Sequence, residues 1–219
     1  MLRAIVEVVV VVVVAVFALV WIGTNVNLYL SPLGMLAGVA AVFLFVSLSH
    51  DNVEDYGFRW PASARSLALT TLAMIGIAFG TFFLLEPLLE PIFGLPNLDV
   101  FEPLTGNLPL YLTMLAMSWI GAAFGEEVIY RGFIQTRLAL AAGDNSVGWW
   151  LGIFVQAGIF AILHLYQGWT GVIEIFVFGV AVGWLYWKSG RSLVPLILAH
   201  GIIDTMAMTD FYLGAGVLF

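Results

Sequence analysis

The chain has 219 residues, 62% hydrophobic and 10% charged, and a mean hydropathy of +1.06. A soluble domain carries about a quarter charged residues, so the composition points to a bilayer rather than to water. The absence of cysteine excludes disulfides, a thiol nucleophile and thiolate metal sites, and a net charge of −7 with seven basic residues excludes a phosphate-neutralising surface and so nucleic acid as a partner.

About 20 mostly apolar residues are needed for one crossing. The first predicted span is 4–22, with valines from Val8 to Val14. We read it as a retained helix and not a cleaved signal, because its apolar run is long and has no clear small-residue cleavage site. Spans follow at 33–48 and 67–85. The intervening polar stretch 50–66 carries Tyr56, Phe58 and Trp60 among charges, which suits an interfacial segment. The next loop holds Pro87, Pro91, Pro96 and Pro103 and reads as irregular. A fourth span starts near Leu108 and passes Glu126 towards Arg137. Spans at 147–166, 171–187 and 193–208 complete the set, and the tail from Phe211 is too short to cross alone. The expected fold is an all-α polytopic transmembrane bundle. It has seven spans, or eight if one segment is broken or re-entrant. We expect a single membrane domain over 1–219, with no repeat.

Alternating these spans puts Arg3, Arg59, Arg65, Arg137, Lys188 and Arg191 on one side, six of the seven basic residues. Glu86, Glu90, Asp99 and Glu102 fall on the other. The positive-inside rule then predicts a cytoplasmic N-terminus.

Ionisable groups inside a membrane need a partner or a purpose. Glu7 and Glu174 lie near helix ends and are expected to pair or snorkel. Asn25, Asn27 and Gln156 are expected to hydrogen-bond between helices, and His50 to be solvated. Three clusters stand apart. In Gly125-Glu126-Glu127-Val128-Ile129-Tyr130-Arg131, Glu127 and Arg131 share a helix face and can pair, while Glu126 is expected to point about 100° away. His164, four residues after Phe160, is deep in apolar sequence. His200 and Asp204 are again four apart on one face. Taken singly, each has a structural explanation: a histidine as an interhelical hydrogen bonder, a Glu–Arg pair as a staple. Together they bring acid–base groups from three helices into lipid, which favours a shared polar cavity.

A carboxylate and a histidine can activate a water, and a second histidine can hold the developing oxyanion. The neighbouring carboxylate must then orient that histidine or be protonated, because bare it would repel the oxyanion. These are parts for amide hydrolysis without a covalent intermediate. Zinc-pair, aspartyl and serine motifs of other intramembrane proteases are missing. Glu126, His164 and His200 are the ligands to expect if a metal takes part, although neither metal nor cofactor is expected.

The ordered set Glu126-Glu127-x-x-x-Arg131, Phe160-x-x-x-His164 and His200-x-x-x-Asp204 resembles the CPBP family of CAAX proteases and bacteriocin-processing enzymes, also called the Abi family. Its eukaryotic branch is the Ras-converting type of CAAX prenyl endopeptidase. The resemblance covers about 108–208. It implies a helical glutamate-type intramembrane endopeptidase in which Glu126 and His164 activate the water and His200 and Asp204 stabilise the oxyanion. Glu127, Arg131 and Phe160 would support them. The substrate would be a membrane-anchored or lipidated protein, and the setting a prokaryotic inner or plasma membrane. The CAAX branch has Asn where this chain has Asp204, which leans towards the broader prokaryotic group. The alternatives are a non-catalytic immunity or scaffold protein on the same fold, a metal-dependent protease, and a proton-coupled transporter, for which the sequence offers no inverted repeat.

One tension remains in the sequence. Strict alternation puts Glu126 near the inner end of its helix and His164 near the outer end of the next.

Overall fold

A computed structural model describes residues 1–216. Among them are seven helical rods and no strand. They are α1 (Leu2–Asn25), α2 (Met35–Ser49), α3 (Ala64–Phe93), α4 (Leu108–Ala141), α5 (Ser146–Ile162), α6 (Gly168–Lys188) and α7 (Val194–Leu213). Six helices are long and apolar enough to cross a membrane, α2 counting with the turn before it. The seventh, α5, has 17 residues, about 25 Å at 1.5 Å per residue. The all-α polytopic reading therefore holds.

Lipid offers the backbone no hydrogen bonds, so every peptide group must be satisfied within its own segment. This explains why α1 is helical through seven consecutive valines, Val8–Val14, despite their β-branching. Most of α1 faces outward, and only Ala4, Glu7, Val8, Val11 and Ala15 are buried on it.

Two boundaries differ from the sequence reading. Helix α3 continues to Phe93, so Pro87 and Pro91 sit inside it and not in an irregular loop. A proline removes one backbone bond and bends a helix. These two are four apart, so both defects fall on one face and the rod survives. Helix α7 runs to Leu213 and absorbs the start of the expected tail.

The ends of the bundle are chemically distinct. At the end holding the N-terminus, Glu7 accepts from Arg3 Nε at 2.7 Å and from Arg137 Nε at 2.6 Å. Arg137 also donates to Asp51 and Ser49, which ties α1 and the 50–56 loop to the end of α4. Tyr56 donates to Asp51 at 2.7 Å, and burial together with that carboxylate pushes its hydroxyl well above the usual tyrosine range. Glu7 is thus a paired helix-end group, as expected. Glu174 is not: it is 2% exposed and its Oε1 has no hydrogen-bond partner among the described residues. Gln156 bonds across to α6, whereas Asn25 bonds within its own helix and Asn27 caps the following turn.

The helix that carries the two glutamates is the feature that builds the site. Over Ser118–Gln135, α4 changes to i→i+5 bonding, a wider turn than the α-helix at its two ends. Its near face is lined with glycine. A Cβ at Gly121 would collide with the Cβ of Pro32, and one at Gly125 would lie 2.8 Å from the Cβ of Met35. Only glycine permits this approach of α4 to the 28–35 turn.

Candidate active site

Glu126 lies in the middle of α4, eighteen residues from Leu108 and fifteen from Ala141. In this single long helix Glu126 is not at an inner end. A wider turn rotates less per residue, so adjacent side chains diverge less than on an α-helix. Glu127 meets one ring nitrogen of His200 and pairs with Arg131, while Glu126 lies near the other ring nitrogen and does not pair with Arg131.

His200 is the hub. Its Nδ1 lies 2.9 Å from Glu127 Oε1, and its Nε2 lies 3.8 Å from Glu126 Oε2 and 3.7 Å from Asp204 Oδ1. Arg131 Nη1 donates to the same Glu127 Oε1 at 3.0 Å. A guanidinium nitrogen has only N–H groups to offer, so Glu127 Oε1 accepts from Arg131, and as a carboxylate oxygen it accepts from His200 Nδ1 as well. That fixes the ring and aims Nε2 at the space between Glu126 and Asp204. Separations of 3.7–3.8 Å exceed a direct hydrogen bond.

Burial divides the cluster into two parts. The side chains of Glu127 and Arg131 are 0% exposed, while Glu126 and Asp204 are 18% and 22% exposed and His200 is 10% exposed. The Glu127–Arg131 ion pair is fully enclosed, and Glu126, Asp204 and His200 are the partly exposed members of the cluster.

The Phe160–His164 spacing has a concrete role. The Phe160 ring lies under the Arg131 guanidinium, with Cζ 4.9 Å from its centroid, and packs against Tyr130. One turn on, the His164 ring meets the same phenyl edge-on at 4.7 Å. His164 Nδ1 lies 2.8 Å from the Phe160 carbonyl. A carbonyl can only accept, so Nδ1 carries a proton and the neutral ring keeps its lone pair on Nε2. Phe160 therefore spaces His164 from Arg131 and anchors it through its own backbone.

Three residues that the sequence reading passed over hold α7 in place. Trp119 Nε1 donates to Thr205 Oγ1 at 3.1 Å, and the Trp119 ring covers Gly201, where a Cβ would lie 2.6 Å from ring carbons. Gly201 and Thr205 follow His200 and Asp204 directly and are themselves four apart. That repeated spacing is the signal that could have exposed them. Among the described residues, no three His, Asp or Glu side chains are grouped to hold a metal ion.

Residues 108–206 match the family model described as type II CAAX prenyl endopeptidase Rce1-like. This stretch is similar to the CAAX proteases that the family model describes. It is a little under half of the chain and contains every residue of the cluster above. The matched stretch begins where α4 begins and ends within α7. No curated protein and no solved structure matches the chain.

Proposed function

We propose that this protein is an intramembrane endopeptidase in which Glu126, with His164, activates the attacking water. At family level the match supports a CAAX-type membrane protease. The residue assignments rest chiefly on one observation: the Arg131–Glu127–His200 chain that aims His200 Nε2 between Glu126 and Asp204.

In this reading Glu126 takes a proton from water as its oxygen attacks the scissile carbonyl carbon. The free Nε2 of His164 orients that water. The carbonyl oxygen becomes an oxyanion and is held by an N–H on His200 Nε2, with Asp204 supporting the charged ring. The proton held by Glu126 passes to the leaving nitrogen, the C–N bond breaks, and the second proton of the water moves from the new carboxyl group to the amine, so that a carboxylate and an ammonium result. Glu127 and Arg131 position His200 and Phe160 positions His164; none of these three touches substrate.

The substrate class is a membrane-anchored or lipidated protein, reached within the bilayer. The basic end of the bundle faces the cytoplasm by the positive-inside rule. Asp204 stands where the CAAX branch has Asn, which favours the broader prokaryotic group over strict prenyl specificity.

The test compares protein termini in cells carrying the wild type and cells carrying Glu126→Ala at equal expression. New termini that need Glu126 identify a protease and its substrates. Identical termini, from two equally folded proteins, move the assignment to a non-catalytic immunity or scaffold role.

A further inference from the structure

Buried polar atoms are nearly always hydrogen-bonded, so each exception asks for an explanation. Seven buried side-chain atoms have no protein partner among the described residues: Glu127 Oε2, Arg131 Nε and Nη2, Gln135 Oε1, Gln156 Oε1, Glu174 Oε1 and Ser189 Oγ. Glu174 lies on the far half of α6. The other six follow one line from the candidate site to the basic end of the bundle.

Glu127, Arg131 and Gln135 stand four apart along α4, and all are 0% exposed. Gln135 Nε2 donates to the Gly183 carbonyl and Gln156 Nε2 to the Gly179 carbonyl, each at 2.8 Å. Those carbonyls accept only, so neither amide can be flipped, and each Oε1 is left as a buried acceptor. The two amides converge: a Cβ on Gly183 would lie 2.8 Å from Gln135 Oε1 and 2.9 Å from Gln156 Nε2. Further on, Thr136 Oγ1 lies 3.5 Å from the Tyr186 hydroxyl, and a Cβ on Gly57, in the loop after α2, would lie 2.8 Å from that hydroxyl. Ser189 closes α6 at the same end.

We propose that a file of exchangeable internal water molecules occupies this seam, from the Gly57 loop past Tyr186, Gln135 and Gln156 to the back of the Arg131–Glu127 pair. A buried water makes about three hydrogen bonds to otherwise unsatisfied groups. The seam offers both kinds: acceptors on Glu127, Gln135 and Gln156, and donors on Arg131. Its purpose rests on the protease reading. Each peptide cleavage consumes one water, and the file supplies that water from the aqueous phase at the basic end.

The test is radiolytic hydroxyl labelling in lipid nanodiscs after rapid mixing with ¹⁸O-water, because bound water labels the side chains beside it. Tyr186, 0% exposed, and Phe178, 5% exposed, should take up ¹⁸O label, whereas the equally buried and more reactive Met74 should not. Gly183→Ala puts a methyl where the two amides converge, and Gln156→Leu removes one station. Either should bring Phe178 labelling down to the Met74 level. Wild-type protein with Tyr186 and Phe178 as unlabelled as Met74 overturns the proposal, whatever the variants do. The Glu126→Ala protein must keep the label. Label without any protein cleavage would reject the protease reading and leave the file standing; cleavage without label would do the reverse.

Discussion

Glu127 is the residue whose removal separates stability from chemistry. Glu127→Leu leaves Arg131 fully buried at 0% exposure, with no carboxylate beside it and only the Phe160 and Phe178 ring faces, 4.9 and 5.9 Å away, to interact with its charge among the described residues. Removing one partner of a buried pair costs about 3–5 kcal/mol, or roughly 10²–10⁴ in the folding equilibrium. The double variant Glu127→Leu, Arg131→Met removes both charges and fills the space with apolar atoms, an exchange that is often neutral. It should recover most of the loss and remain short by about 1–3 kcal/mol, because His200 Nδ1 has lost its acceptor. Cleavage should not recover with stability. A His200 ring free to turn no longer aims Nε2, and the rate should stay at least about 10² below wild type. Reversible unfolding in mixed micelles gives the stabilities, and cleavage of a membrane-anchored reporter gives the rates. A Glu127→Leu protein within about 1 kcal/mol of wild type would show that no buried ion pair is at stake. A double variant cleaving at the wild-type rate would show that Glu127 does not orient His200.

Other perturbations test the remaining assignments. Glu126→Gln, at an 18% exposed carboxylate 3.8 Å from its nearest ion-pair partner, should cost less than about 1 kcal/mol of stability while abolishing cleavage. Cleavage at the wild-type rate would refute the assigned base. His164→Ala should also abolish cleavage with the fold intact, whereas Phe160→Leu should lower both, since the phenyl supports Arg131 and His164 together. Gly201→Ala drives a methyl into the Trp119 ring at 2.6 Å and should cost about 1–3 kcal/mol by overpacking, with loss of cleavage as His200 shifts. Adding Trp119→Leu should restore both; restored stability without cleavage would separate packing from alignment. A strong chelator should leave the rate unchanged, and a loss reversed by zinc would replace the glutamate chemistry with a metal-activated water.

The sequence alone determined the class of this molecule. Lipid imposes one strong rule on the backbone, so apolar length was enough to read an all-helical membrane bundle; of the seven spans expected, six are long and apolar enough to cross and the seventh, α5, is shorter. It also marked Glu126, Glu127, Arg131, His164, His200 and Asp204, because charge in an apolar run is costly and therefore conspicuous. Where the signal was weaker the reading slipped: Pro87 and Pro91 read as loop residues, yet a helix in a bilayer keeps two bonds' worth of defect more readily than it unwinds. Relations between helices were decided only by tertiary packing. The wider turn of α4 brings both glutamates to one imidazole, and nothing in a linear pattern encodes rotation per residue. Trp119 against Gly201, and Gln135 with Gln156 on the α6 backbone, are single contacts between distant segments. Each is set by the shape of a partner helix and not by any period along its own.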